Sequence, residues 1–212
     1  NNSDKILVVS LLGPTAVGVL ELFSKIPQLL NRLLGLSVSA IVPTVAGLDR
    51  HEDADLISTI YNGGFRIYYL LVSLPVVLLI YFSEDVLFYW LGPVDSIVLN
   101  CMRLMLVWCC FVPLAFGSNI LIGLNKGVVN LTYFRMGQSL FKVLSLSLLI
   151  GSLGLYAVPA SFLVSCIPLI YLLYTFKLIL GVNVLQQCFF VVKILVCALI
   201  PILALEAAGF NV

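Results

Sequence analysis

The sequence predicts an all-α fold, an integral membrane multi-helix bundle, and two observations carry that prediction. Of 212 residues, 62% are hydrophobic and 10% charged, with a mean hydropathy of +1.16; a soluble domain has roughly 45–50% apolar and about 25% charged residues. The apolar residues also fall in runs that approach or exceed the roughly 20 needed to cross a bilayer as a helix, separated by short polar breaks. Lipid offers no hydrogen bonds to an open backbone, so such runs close their own bonds as helices.

Taken in order, the apolar runs predict a stub at 5–12 and helices at 17–47, 65–82, 97–124, 128–150, 155–178 and 184–209. That is about six spans plus a truncated one, in a single transmembrane domain over 1–212. The start, Asn1-Asn2-Ser3-Asp4-Lys5, has neither an initiator Met nor a signal-peptide layout, so the chain is expected to be part of a longer one, with the stub's other half upstream. Residues 48–64 form a cytoplasmic connector in which Asp49, Glu52, Asp53 and Asp55 precede Leu56, Ile57 and Ile60, the layout of a helix N-terminus. Residues 83–96 form an outer connector, where Ser83-Glu84-Asp85 opens a short interfacial helix that Gly92-Pro93 stops. Pro27, Pro75, Pro113, Pro159, Pro168 and Pro201 fall within spans and are candidate kinks.

Orientation follows from basic residues in short loops. One set of connections and flanks carries Arg50, Arg66, Lys126, Arg135 and Lys177, and the other carries none, so the first set is placed on the cytoplasmic side. Tyr89 and Trp90 outside, and Tyr68 and Tyr69 inside, fit aromatic interface belts. Leu12-Gly13-Pro14-Thr15-Ala16-Val17 and Leu153-Gly154-Leu155-Tyr156-Ala157-Val158 share an L-G-x-x-A-V pattern at two outer turns, a short internal repeat.

Charge inside the membrane points to function, because each unpaired ion costs about 2.5–3.5 kcal/mol on insertion scales. At about 100° per residue, Glu21, Lys25, Gln28, Arg32, Gly35 and Ser39 fall within roughly 40° of Glu21 and form one polar stripe. Glu21 and Lys25 stand in the favourable order for an ion pair, leaving Arg32 in excess. Arg103 lies within the span that starts near Ile97, and Arg135, Gln138, Ser139 and Lys142 share one side of the next. With Lys5, these cations outnumber the carboxylates Asp4 and Glu21, a balance suited to an anionic head group such as a phosphate or diphosphate. The structural alternative is a Glu21–Lys25 packing pair, with Arg32 and Arg103 snorkelling to the surfaces.

Other chemistry finds little support. Cys101, Cys109, Cys110, Cys166, Cys188 and Cys197 all lie in apolar runs without a C-x-x-C pair, and His51 is the single histidine, so buried unreactive thiols are expected and no metal or cofactor. There is no basic stripe for nucleic acid at a net charge of +1, no catalytic Ser/His/Asp set and no phosphate-cradling glycine loop, so a non-enzyme without a nucleic-acid partner is expected.

The run DKILVVSLLGPTAVGVLELFSKIPQLLNRLLGLSVSAIVPTVAGL, from Asp4 to Leu48, resembles the middle of polysaccharide flippases of the multidrug/oligosaccharidyl-lipid/polysaccharide exporter superfamily. Asp4-Lys5 opening a span, the Leu12-Gly13-Pro14 turn with Val17-Gly18, and a long polar-faced helix running to Pro43 carry the resemblance. Trp90-Leu91-Gly92 and Leu124-Asn125-Lys126-Gly127 extend it more loosely over the rest of the chain, while Leu20 departs from the tyrosine usual there. The resemblance implies the C-terminal half of a two-lobed transporter, with the stub as seventh span and the N-terminal half of the same transporter as partner. It further implies flipping of a lipid-linked oligosaccharide, carried on polyprenyl diphosphate, across the bacterial plasma membrane for O-antigen, lipopolysaccharide or capsule assembly. On that reading Lys25, Arg32 and Lys142 attract the diphosphate, and Glu21 tunes the stripe. The alternatives are an ion-coupled drug or metabolite antiporter of the same superfamily, with Asp4 or Glu21 as coupling group, a membrane-embedded glycan polymerase or ligase, and a non-transporting scaffold.

Overall fold

Glycine and proline decide where this chain turns and where its helices break. The computed structural model describes residues 2–49, 52–125, 127–181, 183 and 185–194, and every regular element among them is helical. Helix α1 (Asn2–Leu12) stops at Gly13, whose φ of +88° lies in the region that glycine adopts without a Cβ penalty. Helix α2 (Pro14–Ser39) starts at once, with Pro14 at a position that needs no backbone donor. Its Pro27 stays inside the helix. The run expected over 17–47 is divided at Ala40, beyond which lies the short α3 (Ile41–Val45).

Helix α4 (Ala54–Tyr81) is 28 residues long, about 42 Å at 1.5 Å per residue. It takes in the span expected at 65–82 and also 54–64, which the sequence assigned to a connector. Gly63-Gly64 does not break it, and Gly64 has a packing role: a Cβ there would stand 2.7 Å from Cζ of Phe116. Helix α5 (Ser83–Leu91) is the short helix expected after the second span, ended by Gly92 at φ +78°. Helix α6 (Ser96–Cys109) is capped by Asp95, whose side chain accepts from the Ile97 amide.

The expected helix 97–124 is interrupted at Pro113, which has no amide hydrogen for the ladder. A 3₁₀ turn (Val112–Ala115) and then α7 (Gly117–Gly123) follow. Helix α8 (Val128–Leu153) ends at Gly154 (φ +56°) and a 3₁₀ turn (Gly154–Tyr156) leads into α9 (Ala157–Val164). The run expected at 155–178 is broken again at Pro168, with α10 (Leu169–Leu180) beyond it. Helix α11 (Leu185–Ile194) is the described part of the run expected at 184–209; the remainder, with Cys197 and Pro201, lies outside the described residues, as do Arg50, His51 and Lys126.

Three stretches are long and apolar enough to cross a membrane: Ala54–Tyr81, Ser96–Gly123 and Val128–Leu180. The third folds back at Gly154, so that α8 packs on α9. Helix α2, of 26 residues, has the length but carries Glu21, Lys25 and Arg32. Over its described residues the chain is thus an all-helical protein built for a multi-pass membrane setting.

Helix α6 packs against both α2 and α9, and α1 against both α2 and α8. The interior is aromatic on one side. Tyr61, Phe65 and Tyr69 are four apart on α4, share one face, and meet Phe116, Phe176 and Phe190 at ring-centroid distances of 5.9 to 6.5 Å. Tyr68 and Tyr69 therefore belong to the interior, not to an inner interface belt, because α4 turns them onto α6 and the Pro113 turn. Tyr89 and Trp90 are exposed, as expected of the outer connector.

Candidate functional site

Both helix breaks open onto one cavity. Its volume is about 550 Å³, and Phe111, Val112, Ala115 and Phe116 reach it from the Pro113 break, with Ser165, Cys166 and Leu169 from the Pro168 break. Non-helical backbone at membrane depth is stable only where it is buried in protein or lines a wet space. Helix α8 packs against the second break at Gly137, where a Cβ would stand in ordinary van der Waals contact, 3.6 Å from Cγ of Pro168.

Most of the polar lining, and all of its charge, comes from two helices. Helix α2 supplies Gln28, Asn31 and Arg32, with Gly35, and α8 supplies Arg135, Gln138, Ser139 and Lys142. The C-terminal part of the α2 stripe and the polar side of α8 are brought together by the packing of the helices around this cavity. Arg32 and Arg135 are exposed to the cavity side and make no ion pair among the described residues. Lys142 is buried, and its Nζ donates to Oδ2 of Asp4 at 2.6 Å while standing 3.9 Å from the centre of the Phe162 ring. The second oxygen of Asp4, Oδ1, is buried with no hydrogen-bond partner among the described residues. The lining holds three cations and no carboxylate, and Asp4 offsets one of the three.

Of the predicted residues, Asp4, Glu21, Lys25 and Arg103 lie outside the lining. Glu21 pairs with Lys5 of α1, not with Lys25, because α1 and α2 pack as a hairpin around Gly13 and bring Lys5 alongside. Lys25 is exposed and away from the cavity lining. Arg103 is half-buried on α6, and its Nε donates to Oγ of Ser83 at 2.7 Å at the start of α5, which draws it away from the cavity. Ser39, the far end of the expected stripe, is the last residue of α2.

Sequence reading missed the aromatic wall and several polar groups. Tyr68, Trp108, Phe134 and Phe162 line the cavity, as do Ser118, Asn119 and Ser165. Trp108 and Phe162 meet edge to face at 4.8 Å. The available signal was the pair of prolines, which flags Trp108 before the Pro113 break and Phe162 and Ser165 before Pro168; no local pattern marks Tyr68 on α4 or Phe134 on α8.

The chain matches no protein-family profile, and no characterised protein or solved structure is significantly similar to it. The site therefore stands on its own geometry. Cys101, Cys109 and Cys110 are buried, Cys166 and Cys188 partly so, and all five are free thiols. Among the described residues no group of His, Cys, Asp and Glu is placed to hold a metal ion.

Proposed function

We propose that this chain is one lobe of a membrane transporter, about six spans and a truncated one, whose cavity receives the anionic head group of a lipid-linked substrate. The observation that carries the proposal is the charge of the cavity: Arg32, Arg135 and Lys142 line it, no carboxylate does, and Asp4 neutralises only Lys142. A diphosphate presents two or more negative charges and, on each tetrahedral phosphorus, pairs of oxygen acceptors that a planar arginine fork can meet bidentately. The aromatic wall of Trp108, Phe134 and Phe162 offers the rest of such a substrate a rigid apolar face. Together with the resemblance of Asp4 to Leu48, this favours a polyprenyl-diphosphate-linked oligosaccharide flipped across the bacterial plasma membrane, with the N-terminal half of the transporter closing the cavity.

The test is binding of farnesyl diphosphate, as a short polyprenyl diphosphate, to the chain in lipid nanodiscs. Arg32→Gln with Arg135→Gln is expected to weaken binding at least about tenfold, while farnesol binds neither protein measurably. Undiminished binding by the doubly neutralised protein refutes the assignment. A second reading, the ion-coupled antiporter, is supported by Asp4 Oδ1, which is buried and unpartnered among the described residues. Dye uptake driven by a sodium or proton gradient, and lost on Asp4→Asn, favours that reading over flipping.

A further inference from the structure

A second, smaller cavity of about 190 Å³ lies between α4 and α11, lined by Asn62, Phe65, Arg66, Gln186, Gln187, Phe189, Phe190 and Lys193. The two helices run parallel here, since Gln187 meets Tyr61 and Asn62 while Phe190 meets Phe65 and Tyr69 further along both. The contact is fixed by polar bonds in the interior: the Tyr61 hydroxyl donates to Gln187 Oε1 at 2.7 Å, and Gln187 Nε2 donates to Asn62 Oδ1 at 3.5 Å. Arg66 and Lys193 are both exposed and have no carboxylate partner among the described residues. The Arg66 guanidinium carbon stands 5.9 Å from the centre of the Phe190 ring.

Depth in the membrane follows from α4. Its polar residues Asp55, Ser58, Thr59 and Asn62 precede Arg66, and from Ile67 to Tyr81 the helix carries no charge. The 20 residues from Asn62 to Tyr81 measure about 30 Å, the thickness of a hydrocarbon core, so Asn62 marks the boundary and Arg66 sits one turn inside it. Helical side chains lean towards the N-terminus. Arg66 and Lys193 therefore both lean back towards the same membrane surface, because the helices are parallel. Exposed Phe189, at 72%, and exposed Ile67, at 68%, supply apolar surface on the same two helices.

We infer that this cavity binds the phosphate of an anionic glycerophospholipid of that leaflet, with Arg66 and Lys193 on the phosphate and the acyl chains along the exposed apolar face of α4 and α11. Arg66, one turn inside the boundary, and Lys193, further in but leaning back towards it, have no carboxylate partner among the described residues and border lipid-facing apolar surface, which matches a lipid head group and its chains. Basic pockets between membrane helices bind anionic head groups in this way.

The experiment uses the chain in nanodiscs with Phe189→Trp as reporter, beside the same protein carrying Arg66→Gln and Lys193→Gln. Brominated phosphatidylglycerol is expected to quench the emission that the introduced indole adds, selectively over brominated phosphatidylcholine. The double neutralisation is expected to reduce that preference about 25-fold, each basic residue near the surface being worth roughly a factor of five. The comparison of the two lipids on the Phe189→Trp protein alone holds even if the neutralised protein does not fold. Equal quenching by the two lipids overturns the proposal. So does displacement of phosphatidylglycerol by millimolar inorganic phosphate, which assigns the site to a soluble anion.

Discussion

Replacing Lys142 by Met tests the electrostatics of the interior directly. Lys142 and Asp4 join α8 to α1 across 2.6 Å, with side chains only 8% and 7% exposed. Lys142→Met keeps the aliphatic stem against Phe162 but leaves Asp4 as a buried charge without its partner, a change that costs about 3–5 kcal/mol. Asp4→Asn costs less, because Lys142 keeps the Phe162 face at 3.9 Å, worth up to about 2 kcal/mol when desolvated, and borders the cavity. The double variant removes both charges and is expected to recover most of the loss, giving a coupling of at least about 2 kcal/mol. Reversible unfolding in mixed detergent micelles, followed by fluorescence of Trp108 against Phe162, measures all four corners of the cycle. A Lys142→Met cost below about 1 kcal/mol, with additive effects in the double variant, would falsify the buried pair.

Three further outcomes are expected. Gly123→Ala drives a Cβ into Cγ2 of Val45 and to 2.8 Å from the carbonyl oxygen of Val42, so α3 and α7 must separate at a cost of about 1–3 kcal/mol, seen as faster hydrogen exchange in Ile41–Val45. Gly13→Ala and Gly154→Ala each force a side chain onto a positive φ and are expected to cost about 1 kcal/mol or more in the same unfolding assay, with no effect on farnesyl diphosphate binding. Cys101, Cys109 and Cys110 are expected to react with maleimide only after denaturation, while Cys188, partly exposed on α11, reacts in the native state; rapid native labelling of Cys101 is the contrary result.

The two turns at Gly13 and Gly154 show how local and tertiary information divide. The shared L-G-x-x-A-V pattern marks both positions in the sequence, and both glycines adopt positive φ at the end of a helix. Apolar length likewise marks α4 and α8, and the 3.6-residue period puts Arg135, Gln138, Ser139 and Lys142 on one side, where they meet the cavity. These are properties of single helices, and a single helix is legible in its own sequence.

Partner choice across helices is not. Periodicity alone favoured Lys25 for Glu21, yet Lys5 takes that place because the hairpin at Gly13 delivers a cation from another helix. Asp4 and Lys142 are 138 residues apart, and only the packing of α1 on α8 makes them a pair. Proline marks possible breaks but not actual ones: Pro27 and Pro75 remain inside α2 and α4, whereas the chain leaves the helix at Pro113 and Pro168. The sequence by itself determined the all-helical class, the apolar runs long enough to cross a membrane and the cationic sides of single helices, because transfer energy and helical period act residue by residue. Which charge meets which, and which two breaks share one cavity, were decided by the tertiary structure, since ion pairs and cavities depend on distances between helices that no local pattern encodes.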